Sequence, residues 1–195
     1  MLDRDVLLVE RFDRPPGART RRLMVSALTV LGLTEMTGRH ASYPELADQL
    51  RRWASPGTVS RALRELFCRV VFNVCVGNID DHARNHAMFW DGEHLELTPA
   101  YDLSPAPRRG GTAAQAMAIS RRGDRASRLS LCLDTASEYG ISAAAARDII
   151  EAQVAIIEAD WEQVAGAVGL SGAQSDLMRH GPGAQILNPF IHGAG

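Results

Sequence analysis

The spacing of apolar side chains changes along this chain, and each change marks a predicted element. Val6-Leu7-Leu8-Val9 is an unbroken apolar run of strand length, read as a strand buried on both faces. Pro15-Pro16-Gly17 closes it and opens a loop. A helical stretch follows over about 22–31, ends at Gly32, and gives way to a polar connector through Ser42. Tyr43-Pro44-Glu45 starts a second helix that runs to about Trp53. Ser55-Pro56 then offers an N-cap and a first-turn proline. Beyond it Val59, Leu63, Leu66, Phe67, Val70, Val71 and Val74 recur at three- and four-residue steps, predicting a helix with a broad buried face to about Val76. That helix delivers the chain rigidly into Gly77-Asn78.

The period then shortens. Ala87-Met88-Phe89-Trp90 and His94-Leu95-Glu96-Leu97 flank Asp91-Gly92, a strong two-residue hairpin signal. With that turn as centre, Trp90 pairs with Glu93 and Asn85 lies opposite Thr98. Ser104 to Gly111, rich in Pro, Arg and Gly, is a surface loop, Ala116-Met117-Ala118-Ile119 a short strand and Arg121-Arg122-Gly123-Asp124 a turn. Leu129 to Tyr139 reads as helix stopped by Gly140. Ser142 caps a long helix whose stripe is Ala146, Ile149, Ile150, Val154, Ile157, Trp161, Val164 and Val168. In the Gly/Pro-rich tail from Gly181, the apolar segment from Ile186 to Ile191 is either docked or frayed. The stripes are core, and the whole predicts one mainly α (α+β) domain over 1–195.

Composition agrees with a globular domain: 46% apolar and 23% charged residues in 195 positions. A net charge of −2 gives no basic excess of the kind a phosphate-backbone binder shows. The clusters Arg19-Thr20-Arg21-Arg22, Arg51-Arg52, Arg108-Arg109 and Arg121-Arg122 read as solvated faces, with Arg108-Arg109 also open to an acidic or phosphorylated partner. Cys68, Cys75 and Cys132 lack metal-ligand spacing and read as buried thiols. The charged start and the absence of a long apolar run predict a cytoplasmic chain without a membrane span.

The chemistry gathers in Asp80-Asp81-His82-Ala83-Arg84-Asn85 and in Ala100-Tyr101-Asp102. Phosphoryl transfer needs one carboxylate for the proton of the attacking hydroxyl and oxygen ligands for Mg²⁺ on the phosphates, and these are the groups present. The hairpin returns both arms to one end, so Asn85 and Asp102 can share an ion with Asp80 within reach. Asp81 reads as a solvated or loop-capping neighbour of the base, and His86 as a structural strand residue.

Val76-Gly77-Asn78-Ile79-Asp80-Asp81-His82-Ala83-Arg84-Asn85 with Leu97-Thr98-Pro99-Ala100-Tyr101-Asp102-Leu103-Ser104-Pro105 resembles the HipA-like kinase family, toxins of bacterial toxin–antitoxin pairs. More distantly it is similar to the Asp-x-His-x-x-Asn loop of phosphatidylinositol-kinase-like enzymes. Val9-Glu10-Arg11-Phe12-Asp13-Arg14 looks like the family's interlobe segment, and Ala41-Ser42-Tyr43-Pro44-Glu45-Leu46 extends the likeness, which spans about 6–170. The resemblance implies a kinase-like helical C-lobe: an interlobe strand and loop over 1–18, a helical lobe over 19–180 with its catalytic hairpin at 86–97, and a tail over 181–195. It implies ATP-dependent phosphorylation of a protein serine or threonine, with Asp80 as catalytic base, Asn85 and Asp102 as Mg²⁺ ligands, and His82 near the phosphates. Glu10, Phe12 and Asp13 would then lie at the nucleotide, the backbone around Glu10 and Phe12 meeting the adenine. An antitoxin of helix-turn-helix type and a protein substrate are the implied partners.

One departure accompanies the match. The family's upstream lobe, with its phosphate-gripping loop and strand lysine, has no counterpart here, and all 21 basic residues are arginine. Arginine's planar fork is not a conservative replacement for that ammonium. The expectation is a C-terminal half that binds ATP–Mg²⁺ weakly by itself: a gene fragment, a mis-called start, a split-kinase subunit completed by a separate N-terminal lobe chain, or a non-catalytic remnant that binds an antitoxin or substrate. A further reading keeps the metal and makes Asp80, His82, His86 and Asp102 a metal-dependent phosphoester hydrolase.

Overall fold

A computed structural model describes residues 8–14, 17, 20–108, 113–180 and 183–192. Strand β1 (Leu23–Ser26) leads directly into a short helix α1 (Ala27–Val30). Helices α2 (Tyr43–Trp53) and α3 (Val59–Val76) follow, then strands β2 (Ala87–Trp90) and β3 (Leu95–Leu97). Helices α4 (Leu129–Thr135), α5 (Ala143–Ala167) and α6 (Gly172–His180) complete the body. The three strands form one antiparallel sheet in the order β1-β2-β3. The domain is α+β, as the sequence pattern predicts.

Helix α3 is the axis of the core. Its Leu66, Phe67, Val70, Val71 and Val74 are at most 1% exposed, each burial worth roughly 1.5–3 kcal/mol. Tyr43, Leu46 and Leu50 of α2, Met88 of β2 and Tyr139 close around it. Phe67 and Tyr139 pack with ring centroids 5.4 Å apart, and the Tyr139 hydroxyl donates to Ile119 O at 2.7 Å. The tail is docked: Ile186 and Ile191 are buried, and Leu187 N–H donates to Cys75 O at 2.7 Å. Cys75 and Cys132 are buried and free, and Cys68 is half-buried and free. Burial pushes the Cys75 thiol up to about 12 and Cys132 higher still, as expected of inert core thiols.

Several expectations are corrected. The segment read as a helix over 22–31 is a strand followed by a single helical turn. Leu23 to Ser26 pair with Trp90 to Ala87, and sheet pairing overrides the weak local helix signal. Ser26 then caps α1, its Oγ accepting from Thr29 N–H. The strand expected over 6–9 is not buried where it is described: Leu8 and Val9 are 89% and 67% exposed and in no strand, while Val6 and Leu7 lie outside the described residues. The segment 116–119 forms no strand; Ala118 makes only an isolated parallel bridge to Ser42. Val164 on α5 and Val168 at its C-cap are 52% and 69% exposed, so the buried stripe ends near Trp161 and Ala165.

The hairpin register also differs by two residues. Trp90 pairs with Leu95, because the loop is Asp91 to His94 rather than a two-residue turn. The Asp91 carboxylate accepts from the N–H groups of both Glu93 and His94, at 2.8 and 2.7 Å. Those two donors lower its pKa and lengthen the turn. The last pairing bond runs from Thr98 N–H to Ala87 O, so Asn85 does not lie opposite Thr98. A two-residue slip keeps every side chain on its own face, which preserves the core. Among the described residues no helix is long and apolar enough to cross a membrane.

Gly77 ends α3 in the left-handed conformation, φ 68°, and a Cβ there would stand 2.8 Å from Gln185 O. Gly77→Ala therefore meets both strain and a backbone clash. It is expected to cost about 2 kcal/mol, read as a lowered urea midpoint with an unchanged slope; an unaltered midpoint would contradict the close approach.

Candidate active site

The loop over 77–86 leaves α3 and enters β2, and its backbone is fastened from three sides. Leu28 N–H donates to Ala83 O, Ala106 N–H to Gly77 O, and Ala116 N–H to Ile79 O, at 2.9–3.1 Å. Within the loop, His82 N–H donates to Asp80 O and Asn85 N–H to His82 O, both at 2.8 Å, which makes it a series of tight turns.

Two adjacent carboxylates in this loop have opposite surroundings. Asp80 is exposed and its carboxylate has no hydrogen-bond or ion-pair partner among the described residues. Asp81 is 1% exposed, and its Oδ2 accepts from the Tyr43 hydroxyl at 2.6 Å, Asn73 Nδ2 at 2.6 Å and His86 Nε2 at 2.7 Å. The solvated role expected for Asp81 is thus corrected: burial of a charge demands partners, and three elements supply them. Burial, reinforced by the Asp81 charge, raises the Tyr43 pKa well above 10 and keeps its hydroxyl a donor. His86 is buried and committed to Asp81, a structural residue as expected; its Nε2 does not face outward with Asp80 as the hydrolase reading requires.

Asn85 is 6% exposed, and its Nδ2 lies 3.5 Å from Asp80 O, leaving its side-chain oxygen without a partner. The second loop reaches it through a neighbour. Tyr101 Oη donates to Arg84 O at 2.5 Å, which brings the residue before Asp102 against the residue before Asn85. Arg69, 9% exposed on α3, donates to Thr98 O at 2.6 Å and anchors the start of that loop. Burial raises the Tyr101 pKa, the Asp102 and Asp81 charges add to it, and the Arg69 charge opposes them. Asp102 is exposed, has no hydrogen-bond or ion-pair partner among the described residues, and holds φ 56°. Such a left-handed conformation is uncommon for a residue with a side chain and is often found in functional loops.

Asp102 shares a cleft of about 470 Å³ with Glu10, Phe12, Pro99, Ala100 and Tyr101. Phe12 stands between Tyr101 and Phe89, at centroid distances of 5.8 and 6.0 Å. Asp13 is tied by both carboxylate oxygens to Arg11, at 2.8 and 2.6 Å, and that guanidinium lowers its pKa. Asp13 therefore shapes the segment rather than opening onto the cleft. His82 lines a second cavity of about 240 Å³ with Leu28, Glu35, Arg39 and Arg84, the last ion-paired to Glu35. Its Nδ1 is buried without a partner. Arg108, expected on a solvated face, is 4% exposed with one bond to Ser127 O; Arg109 lies outside the described residues.

The residues that sequence reasoning missed are Tyr43, Asn73, Tyr101 and Arg69. A local signal existed only for Asn73, a polar residue within the apolar face of α3, where a satisfied partner has to exist. Tyr43 is 38 positions from Asp81, so no window of sequence joins them.

A small antiparallel sheet beside a helical body, with exposed carboxylates on two fastened loops, makes this an α+β domain. The HipA-like C-terminal domain family matches residues 1–161, and the chain belongs to that family. HipA of Shewanella oneidensis MR-1, solved with HipB and its operator DNA, is similar in fold with a TM-score of 0.66 and 18% identity. The match covers 89% of this chain and 45% of that one, so the chain spans less than half of that HipA. No curated protein sequence matches the chain.

Removing a buried carboxylate that three donors address strands all three. Asp81→Ala is expected to cost about 3 kcal/mol, whereas Asp80→Ala stays within about 0.5 kcal/mol, both read from chemical denaturation. Equal effects of the two substitutions would contradict the division of labour between them.

Proposed function

We propose that this domain is the C-lobe of a serine/threonine protein kinase and, once completed by a nucleotide lobe, moves the γ-phosphoryl group of ATP to a protein hydroxyl. The observation that carries the reading is the pair of exposed, unpartnered carboxylates, Asp80 and Asp102, on loops joined at Tyr101 and Arg84. Asp80 accepts the proton of the attacking hydroxyl. The Asn85 side-chain oxygen and the Asp102 carboxylate are hard oxygen donors and fit Mg²⁺, which would neutralise the phosphate charge when bound. The cleft of Glu10, Phe12 and Tyr101 takes the nucleotide, with the backbone around Glu10 and Phe12 toward the adenine and Asp102 at its phosphate end. His82 belongs to the same loop as Asp80 and Asn85, with its Nδ1 buried and unpartnered; this reading gives it a part near the phosphates by the family likeness.

The 45% coverage of a HipA chain supports a second lobe elsewhere, either upstream in a longer protein or as a separate chain. That HipA was solved with HipB, which supports an antitoxin as the binding partner here. Protein substrates follow from the same reading.

The test is calorimetric titration of the domain with ATP in the presence and absence of Mg²⁺, followed by transfer assays with the nucleotide lobe supplied. Binding is expected to be weak, in the millimolar range, and Mg²⁺-dependent. Asp102→Asn removes the Mg²⁺-dependent part; Asp80→Asn keeps binding but lowers transfer at least ~10²-fold. Nucleotide binding indifferent to Mg²⁺ and to Asp102→Asn, or transfer by Asp80→Asn at the parent rate, would overturn the assignment and leave a binding module.

A further inference from the structure

The buried side of the loop carries a device that the proposed chemistry does not itself use. Asn73 bridges two points: its Nδ2 donates to Asp81 and its Oδ1 accepts from Asn78 Nδ2 at 2.9 Å. Both ends of that amide are therefore satisfied and its orientation is fixed. With the bond from His86, the loop is pinned at Asn78, Asp81 and His86, and the pins lead to α2 through Tyr43 and to α3 through Asn73. Four residues of this network, Asn73, Asn78, Asp81 and His86, are at most 2% exposed, and Tyr43 is wholly buried.

A charged hub is a costly way to fill a core, because well-packed apolar side chains of the same volume stabilise a fold as well or better. What a carboxylate with three short, charge-assisted bonds does supply is direction. Asp81 stands between Asp80 and His82, and with its own side chain drawn inward and Asp80 exposed, the loop backbone has little freedom to turn. We infer that Asp81 is a positioning residue: through Tyr43, Asn73 and His86 it holds the loop so that Asp80 keeps its catalytic orientation. The inference rests on the kinase reading for the word catalytic, but the fixing of the loop stands on the bonds alone.

Tyr43→Phe removes one hydroxyl while keeping the buried ring, and so tests the network without emptying the core. Amide exchange over 79–85 is expected to quicken ~10-fold or more with that of α5 unchanged. In the lobe-completed protein, kcat should fall ~10-fold while KM for ATP stays within ~2-fold. Asp81→Asn, where it folds, should show the same split more strongly. Unchanged exchange in Tyr43→Phe overturns the inference, and so does quickened exchange with unaltered kcat, or a loss confined to KM. A parent protein that transfers no phosphate would sink the kinase reading instead, and the exchange arm would then decide alone whether Asp81 fixes the loop.

Discussion

One oxygen atom carries much of this architecture. Asp81 Oδ2 accepts hydrogen bonds from a phenol on α2, an amide on α3 and an imidazole at the entry to β2, all at 2.6–2.7 Å. A buried carboxylate left short of partners costs several kcal/mol, so the three elements are constrained to converge on it. The convergence sets where α3 ends, where β2 begins and how the nine residues from Asn78 to His86 travel between them. The hydrophobic core supplies the bulk of the stability, and the carboxylate selects one loop conformation among those that core would allow.

The contrast with its neighbour makes the functional sense. Asp80 and Asp102 are solvent-facing and unpartnered among the described residues, whereas several other acidic groups are paired with arginines: Asp13 with Arg11, Asp48 with Arg51 and Arg121, Glu65 with Arg69. Exposed ion pairs of that kind contribute little to stability. The free carboxylates instead sit on backbone that is fastened by Tyr101, Arg69 and the carbonyls of the loop over 77–86. Rigid backbone with idle side chains is the arrangement a site needs before its ligand arrives.

Sequence reading recovered what short-range physics decides. The period of α3, the Ser142 cap, the stop at Gly140 and the hairpin all follow from local pattern, and the structure has each of them, whereas Ser55 makes no side-chain cap and precedes a 3-10 turn over Pro56–Thr58 before α3 begins at Val59. The loops that carry the acidic motif and Asp102, expected to come together, do meet, through Tyr101 and Arg84. What was lost depends on distant partners. β1 looked helical because only its pairing with Trp90 to Ala87 makes it a strand. The hairpin register turned on which N–H groups the Asp91 carboxylate chose. Asp81 looked idle because its three donors come from positions 43, 73 and 86, and Arg108 looked solvated because the carbonyl it meets belongs to Ser127.

The proposed function requires that Asn85 and Asp102, on two separate loops, hold one metal ion beside the cleft lined by Glu10, Phe12, Tyr101 and Asp102. Paramagnetic broadening by Mn²⁺ in place of Mg²⁺, recorded on the amide resonances of the domain with ATP present, tests it directly. The account predicts broadening centred on Asp80, Asn85 and Asp102, abolished by Asp102→Asn, with the hairpin tip at Gly92 untouched. Broadening centred on any other surface, or persisting unchanged in Asp102→Asn, would contradict it.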